Sequence, residues 1–220
     1  MNAIWQYFRD NQDQILGWLR TTIWLAGVPV VIGLLIALPI GWIASRYRWT
    51  YPPVVTLAGV IYTVPSIVVF LALPGLIGTR ILDTVNVAVA LTLYCVALLV
   101  RVVADGLNSV SPATLQAASA MGYTNRQRLL AVQLPLAMPV IGAGLRVAAV
   151  SNVSLVAVAS TLGVEQLGKL FTNGFQATHD QSTPILLGLI MFALLAFVFD
   201  AVILVGLRIA TPWRRAVAAR

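Results

Sequence analysis

QAASAMGYTNRQRLLAVQLP, residues 116–135, interrupts an otherwise greasy chain with small residues, one glycine, two arginines and a closing Leu-Pro. It is too polar for an ordinary membrane span and too apolar along one stripe for a plain loop. Its setting decides the fold. Of the 220 residues, 60% are hydrophobic and only 10% charged, and mean hydropathy is +0.91. Soluble domains carry about 25% charged residues. A soluble chain of this size would be short of polar surface, so lipid is the solvent for most of this one.

Charge-free runs cover residues 21–45, 49–79 and 84–100. A helix needs about 20 apolar residues to cross a hydrocarbon core of about 30 Å. The first two runs are ample, and the third lengthens through Val102, Val103 and Ala104 if Arg101 snorkels to the interface. Residues 135–163 make a fourth span broken by Arg146, and residues 183–210 a fifth broken by Asp200. Residues 106–125 are also charge-free, but Ser, Thr, Asn, Gln and Pro make them polar. The expected fold is an all-α integral membrane protein with about five transmembrane helices.

With the N-terminus outside, Arg46, Arg48, Arg101, Arg126, Arg128, Arg208, Arg214, Arg215 and Arg220 fall inside. Arg9, Arg20, Arg80 and Lys169 fall outside. The positive-inside rule favours this orientation and turns much of the net charge of +7 into topology signal. No nucleic-acid partner is therefore expected. Residues 1–20, polar and acid-bearing, read as an extracytoplasmic segment and not as a cleavable signal. Residues 21–210 form the membrane domain, with a cytoplasmic loop at 102–135 and a cytoplasmic tail at 211–220. Trp5, Trp18, Trp24, Trp42, Trp49 and Trp213 lie mostly near the expected interfaces, as amphipathic aromatics prefer. Cys95, the single cysteine, excludes an intrachain disulfide and reads as a small buried hydrophobe.

Inside the loop, Ser111-Pro112 predicts an N-cap followed by proline at the first helical position. A short helix then runs to Gly122, a natural left-handed stop. Thr124 with Gln127 makes a capping box for a second short helix, NRQRLLAV. The loop is thus two short helices around a glycine corner. Ala117, Ala118, Ser119 and Ala120 allow close backbone approach, Met121, Leu129 and Leu130 offer apolar contact, and Arg126 and Arg128 can engage carboxylates. A plug for a groove on a cytoplasmic partner and an interfacial hairpin without a partner both fit these residues.

Gln116-Ala117-Ala118, three residues, Gly122, nine residues, Val132, any residue, Leu134-Pro135 resembles the EAA loop of permease subunits in binding-protein-dependent ABC importers. That pattern has Glu where Gln116 stands and Ile where Val132 stands; Gln116 keeps hydrogen bonding but brings no charge for an ion pair. IYTVPSIVVFLALPGLIG, QLPLAMPVIGAGLR and GVEQLGKLFTNG resemble the osmoprotectant branch of these importers, which carries glycine betaine, choline, carnitine and related quaternary amines. The resemblance spans roughly residues 15–210. It implies a type I importer permease fold in a bacterial plasma membrane and a second permease subunit, identical or sister. It also implies a cytoplasmic ATPase dimer docked beneath through these loops and an extracytoplasmic substrate-binding protein.

No G-x-x-x-x-G-K-[ST] loop is present, so ATP and Mg²⁺ are expected on the partner ATPase and no cofactor on this chain. No catalytic or metal site is expected. His179, the one histidine, reads as a solvated outer-loop residue before a ligand or proton carrier. Intramembrane charges are functional candidates by default. Arg146 and Asp200 lie at similar depth, which allows an ion pair; a gate or coupling role is the other reading. Tyr62, Thr63, Pro65 and Ser66 interrupt the second span, and Ser151, Asn152 and Ser154, with Ser160 and Thr161 beyond, give the fourth a polar flank. Such residues line a cavity or glue helices together. GVEQLGKLFTNGF is expected as an outer re-entrant segment. Rival readings are a permease for another small solute such as methionine, a secondary carrier, and an assembly protein without transport.

Overall fold

The computed structural model describes residues 2–78, 83–177 and 181–212. All regular structure among them is helical. An amphipathic helix α1 (Asn2–Asp10) leads into α2 (Gln12–Arg46), and α3 (Tyr51–Thr63) and α4 (Ser66–Ile77) follow. Next come α5 (Thr84–Asn108), the short α6 (Pro112–Ala120) and α7 (Asn125–Arg128), and then α8 (Leu134–Val158). α9 (Lys169–Gln176) and α10 (Ser182–Ala210) complete the chain.

Four helical segments are long and apolar enough to cross a membrane, and α3 with α4 makes a fifth only as a broken span bent by 101°. The second span is thus two half-length helices, broken at the interruption expected from Tyr62, Thr63, Pro65 and Ser66. The break has a local cause. Proline disfavours helical backbone in the residue before it, and Val64 is accordingly extended, with φ −66° and ψ 130°. The carbonyl released there is not orphaned, because the Tyr94 hydroxyl donates to Val64 O at 2.5 Å.

α2 begins at Gln12, ahead of the charge-free run that starts at Thr21, and its 35 residues at about 1.5 Å each span roughly 52 Å. That exceeds the hydrocarbon core, so α2 projects beyond it. Ahead of it, Trp5 stacks on Phe8 at 5.8 Å and Arg9 lies over the Trp5 ring at 5.1 Å.

Helices in lipid gain little from hiding apolar surface and associate through close packing and interhelical hydrogen bonds. α2 and α5 form the most extensive contact, and Gly33, Ala37 and Gly41 explain how. They recur every fourth residue on the buried stripe of α2. A Cβ on Gly33 would lie 2.6 Å from Cys95 Cβ, and one on Gly41 would lie 2.7 Å from Val103 Cβ. Two buried clusters stack along this seam. One gathers Ile15, Leu25, Phe70, Leu91, Val156 and Leu167; the other gathers Ala37, Leu99, Val103, Leu107 and Ile141 near the α6–α7 end.

Candidate functional site

The connection between α5 and α8 is built by its own sequence signals. Ser111 occupies the cap position of α6 with Pro112 behind it, but its hydroxyl makes no cap hydrogen bond; proline's fixed φ does the starting. At the other end, the Tyr123 N–H donates to Ala118 O at 3.2 Å and the Gly122 N–H to Ser119 O at 3.0 Å. This pair is the Schellman closure, which needs a left-handed residue after the helix. Gly122 supplies it with φ 84°. The capping box then restarts the chain: Gln127 N–H donates to Thr124 Oγ1 at 3.4 Å, and Thr124 N–H donates to Gln127 Oε1 at 2.9 Å.

The second short helix is not a separate element. α7 passes through a π-turn at Leu129–Gln133 into α8, giving one helical segment over Asn125–Leu162. The loop is therefore one short helix, α6, turned at Gly122 against an N-terminal extension of the fourth span. Arg128 fastens the two arms, donating to Ser119 Oγ at 2.8 Å and to Asn125 Oδ1 at 3.3 Å. Gln133 donates to Leu107 O at 3.1 Å, tying the π-turn to the end of α5.

Ala118 is buried, while Gln116, Ala117, Gly122 and Arg126 are exposed. Leu134 and Pro135 are half-buried at the start of α8. Met121, Tyr123 and Leu130 form the exposed apolar surface, at 69%, 40% and 63%. Leu129, expected to join them, instead packs with Leu115 and Leu134 onto the inner cluster. Tyr123 was not anticipated, although its place directly after the glycine corner was readable.

Arg146 and Asp200 meet as a two-pronged pair, Nε to Oδ1 at 2.6 Å and Nη2 to Oδ2 at 2.7 Å, joining α8 to α10. Their side chains keep 36% and 29% exposure. Parallel N–H bonds in this geometry are the strongest form of charge pairing.

The polar residues of the second and fourth spans divide. Tyr62, Ser151 and Asn152 converge with Tyr94 and Cys95 on a small cavity of about 10 Å³, close to the room one water needs. Tyr62 and Tyr94 meet edge to face at 6.1 Å. Thr63 turns back onto Val60 O at 2.8 Å, Pro65 marks the break, and Ser66 opens α4. Ser154 is exposed away from the cavity. Asn152 is buried, and its Nδ2 donates to Leu25 O at 3.2 Å and Ala26 O at 2.8 Å. It clamps α8 to α2, so half of this amide is structural glue.

The GVEQLG segment is pinned by buried polar contacts that sequence reasoning missed. Leu167 N–H donates to Thr22 Oγ1 at 2.9 Å, and Gln166 Nε2 donates to Val156 O at 3.0 Å. Gln166 Oε1 accepts from Gly168 N–H at 2.7 Å. His179, Arg80, Trp213 and the arginines at 214, 215 and 220 lie outside the described residues.

Residues 30–205 match the family described as the binding-protein-dependent transport system inner membrane component. The chain belongs to this family. It is a multi-pass inner membrane permease component of an ABC importer, a non-catalytic transport subunit that works with an ATPase and a binding protein. Among relatives, the osmoprotectant import permease protein OsmW of Salmonella typhimurium is 33% identical over 88% of this chain and 90% of its own. The glycine betaine/carnitine/choline transport system permease protein OpuCD of Bacillus subtilis is 31% identical over 89% and 84%. Two solved structures share the fold. The inward-facing MetNI methionine ABC transporter has a TM-score of 0.72 at 20% identity, covering 88% of this chain and 96% of that one. An amino acid ABC transporter with histidines has 0.73 at 19%, covering 92% and 97%.

Proposed function

We propose that this permease subunit carries osmoprotectants, quaternary amines such as glycine betaine, choline and carnitine, with proline a further candidate, across the inner membrane. One observation carries the reading: relatives that cover most of the chain at about 30% identity are osmoprotectant permeases. The methionine and amino acid systems are similar at the level of fold. In this reading two permease subunits, identical or sister, form the path, and the binding protein delivers solute to the α9 side. The N-terminus lies outside and the C-terminus in the cytoplasm, as the arginine distribution suggests. ATP and Mg²⁺ belong to an ATPase dimer on the cytoplasmic side.

The Gly122-cornered loop is the docking element, and its geometry suits the task. Met121, Tyr123 and Leu130 offer apolar contact, with Gln116 and Arg126 at the margin. The helical continuity from α7 into α8 lets a push on the loop reach Ser151 and Asn152 without a flexible link. Tyr62, 43% exposed beside the break, offers a π face to a passing ammonium. Labelled betaine, choline, carnitine and methionine should be supplied to cells with and without the gene at high osmolarity. Loss of quaternary-amine uptake with methionine uptake intact supports the assignment; loss of methionine uptake alone refutes it.

A further inference from the structure

A second cavity, separate from the one beside Tyr62, lies where the loop meets the membrane domain. Its volume is about 290 Å³, and Trp42, Ser45 and Arg46 of α2, Asn108 of α5, and Asn125 and Arg128 of the α7 arm are among its walls. No carboxylate is among the lining residues. Arg46 and Arg128 both line this space. Among the described residues the ion pairs are Arg101–Asp105 and Arg146–Asp200, and neither involves this cavity. Two arginines with hydroxyl and amide side chains around them are the residue set that binds oxyanions, and Arg128 there has only the neutral acceptors Ser119 Oγ and Asn125 Oδ1 as partners in the bonds described.

Depth tells which anion. The Arg46 guanidinium sits 5.8 Å from the Trp42 ring and 5.8 Å from the Tyr47 ring, and Trp49 follows at 78% exposure. Aromatic residues of this kind mark the headgroup level of a bilayer, not the aqueous phase beyond it. The loop's protein-facing surface is elsewhere: Arg126, Met121, Tyr123 and Leu130 are exposed, whereas Arg128 is half-buried behind them and held by Ser119.

We infer that this pocket binds the phosphate oxyanion of an acidic phospholipid, wedged between the end of α2 and the α6–α7 corner. The lipid bridges Arg46 to Arg128 and so ties the loop to the membrane domain at the point where the corner hinges. The inference is independent of which solute the permease carries.

The test is native mass spectrometry of the full-length chain, in its membrane complex, equilibrated with phosphatidylglycerol or phosphatidylcholine of matched acyl chains. The wild type should retain phosphatidylglycerol selectively. A basic side chain near a membrane surface changes acidic-lipid binding about fivefold, so Arg46→Gln with Arg128→Gln should lower retention by about thirtyfold. Arg46→Lys with Arg128→Lys should largely restore it. Asn108→Asp, at an exposed position, puts an acid into the pocket and should abolish selectivity even if the glutamine pair fails to fold. Arg101→Gln, outside the pocket, should bind as wild type. Equal retention of both lipids, or undiminished retention by the glutamine pair, overturns the inference. Displacement of the lipid by millimolar inorganic phosphate overturns the lipid source. Loss of ATPase co-purification with lipid retention unchanged assigns the arginines to a protein carboxylate and equally overturns it.

Discussion

Gly122→Ala isolates the glycine corner from every packing effect. A Cβ at Gly122 would meet nothing within 4 Å, yet its φ is +84°. The cost is thus conformational alone, about 1–2 kcal/mol for a left-handed L-residue. A change of that size moves the open-to-closed ratio of the corner about 5- to 30-fold. The amides of Gly122 and Tyr123, which close onto Ser119 and Ala118, report it directly. Their hydrogen-exchange protection in the purified membrane complex should fall by that factor, while the amides of α5 keep theirs. Gly122→Asn should fall between, since asparagine tolerates the left-handed region. Gly122→Pro removes the N–H and fixes φ near −65°, and should eliminate ATPase co-purification. Wild-type exchange and docking in the alanine and proline variants would refute the reasoning.

Gly33→Leu forces a side chain into Cys95 at a seam with no slack. It should destabilise the α2–α5 pair by about 1–3 kcal/mol or more, read as a lower melting temperature in detergent; unchanged melting counts against the seam. Tyr94→Phe strips the donor from Val64 O and leaves a carbonyl unpaired beside the break, a cost of about 1–3 kcal/mol, seen as lower thermal stability and faster exchange in α4. Arg146→Asp and Asp200→Arg should each impair assembly or uptake, and the double reversal should recover much of the loss. No recovery would show that the pair acts through more than its charges.

Much of the loop was legible because its signals are local. Thr124 and Gln127 form a capping box wherever they start a helix, and Gly122 followed by a polar restart specifies a corner without tertiary help. The membrane helices were legible as apolar runs, but their faces were not. In lipid both the buried and the exposed stripe are apolar, so α10 gives no periodic signal of which side packs. The stripe at Gly33, Ala37 and Gly41 was the available clue, because only small residues at four-residue spacing let α5 approach so closely. The π-turn at Leu129–Gln133 was not readable: its residues are ordinary helix formers, and Gln133's bond to Leu107 O, across the fold, accompanies it. Pro65 signalled an interruption in α3–α4, but neither the 101° bend nor the Tyr94 hydroxyl from α5 that satisfies Val64 O was readable from local residues. Asn152 looked like a pathway residue for the same reason that it proved a clamp. A lone amide in a span must find partners, and these were the carbonyls of α2.

The most direct measurement is solute accumulation in proteoliposomes that contain this chain with its ATPase and binding protein, at equal ion concentrations on both sides. The account predicts that labelled glycine betaine accumulates only when ATP and Mg²⁺ are present on the loop side, and that Gly122→Pro abolishes accumulation. Accumulation driven by an imposed sodium or proton gradient without ATP would contradict it.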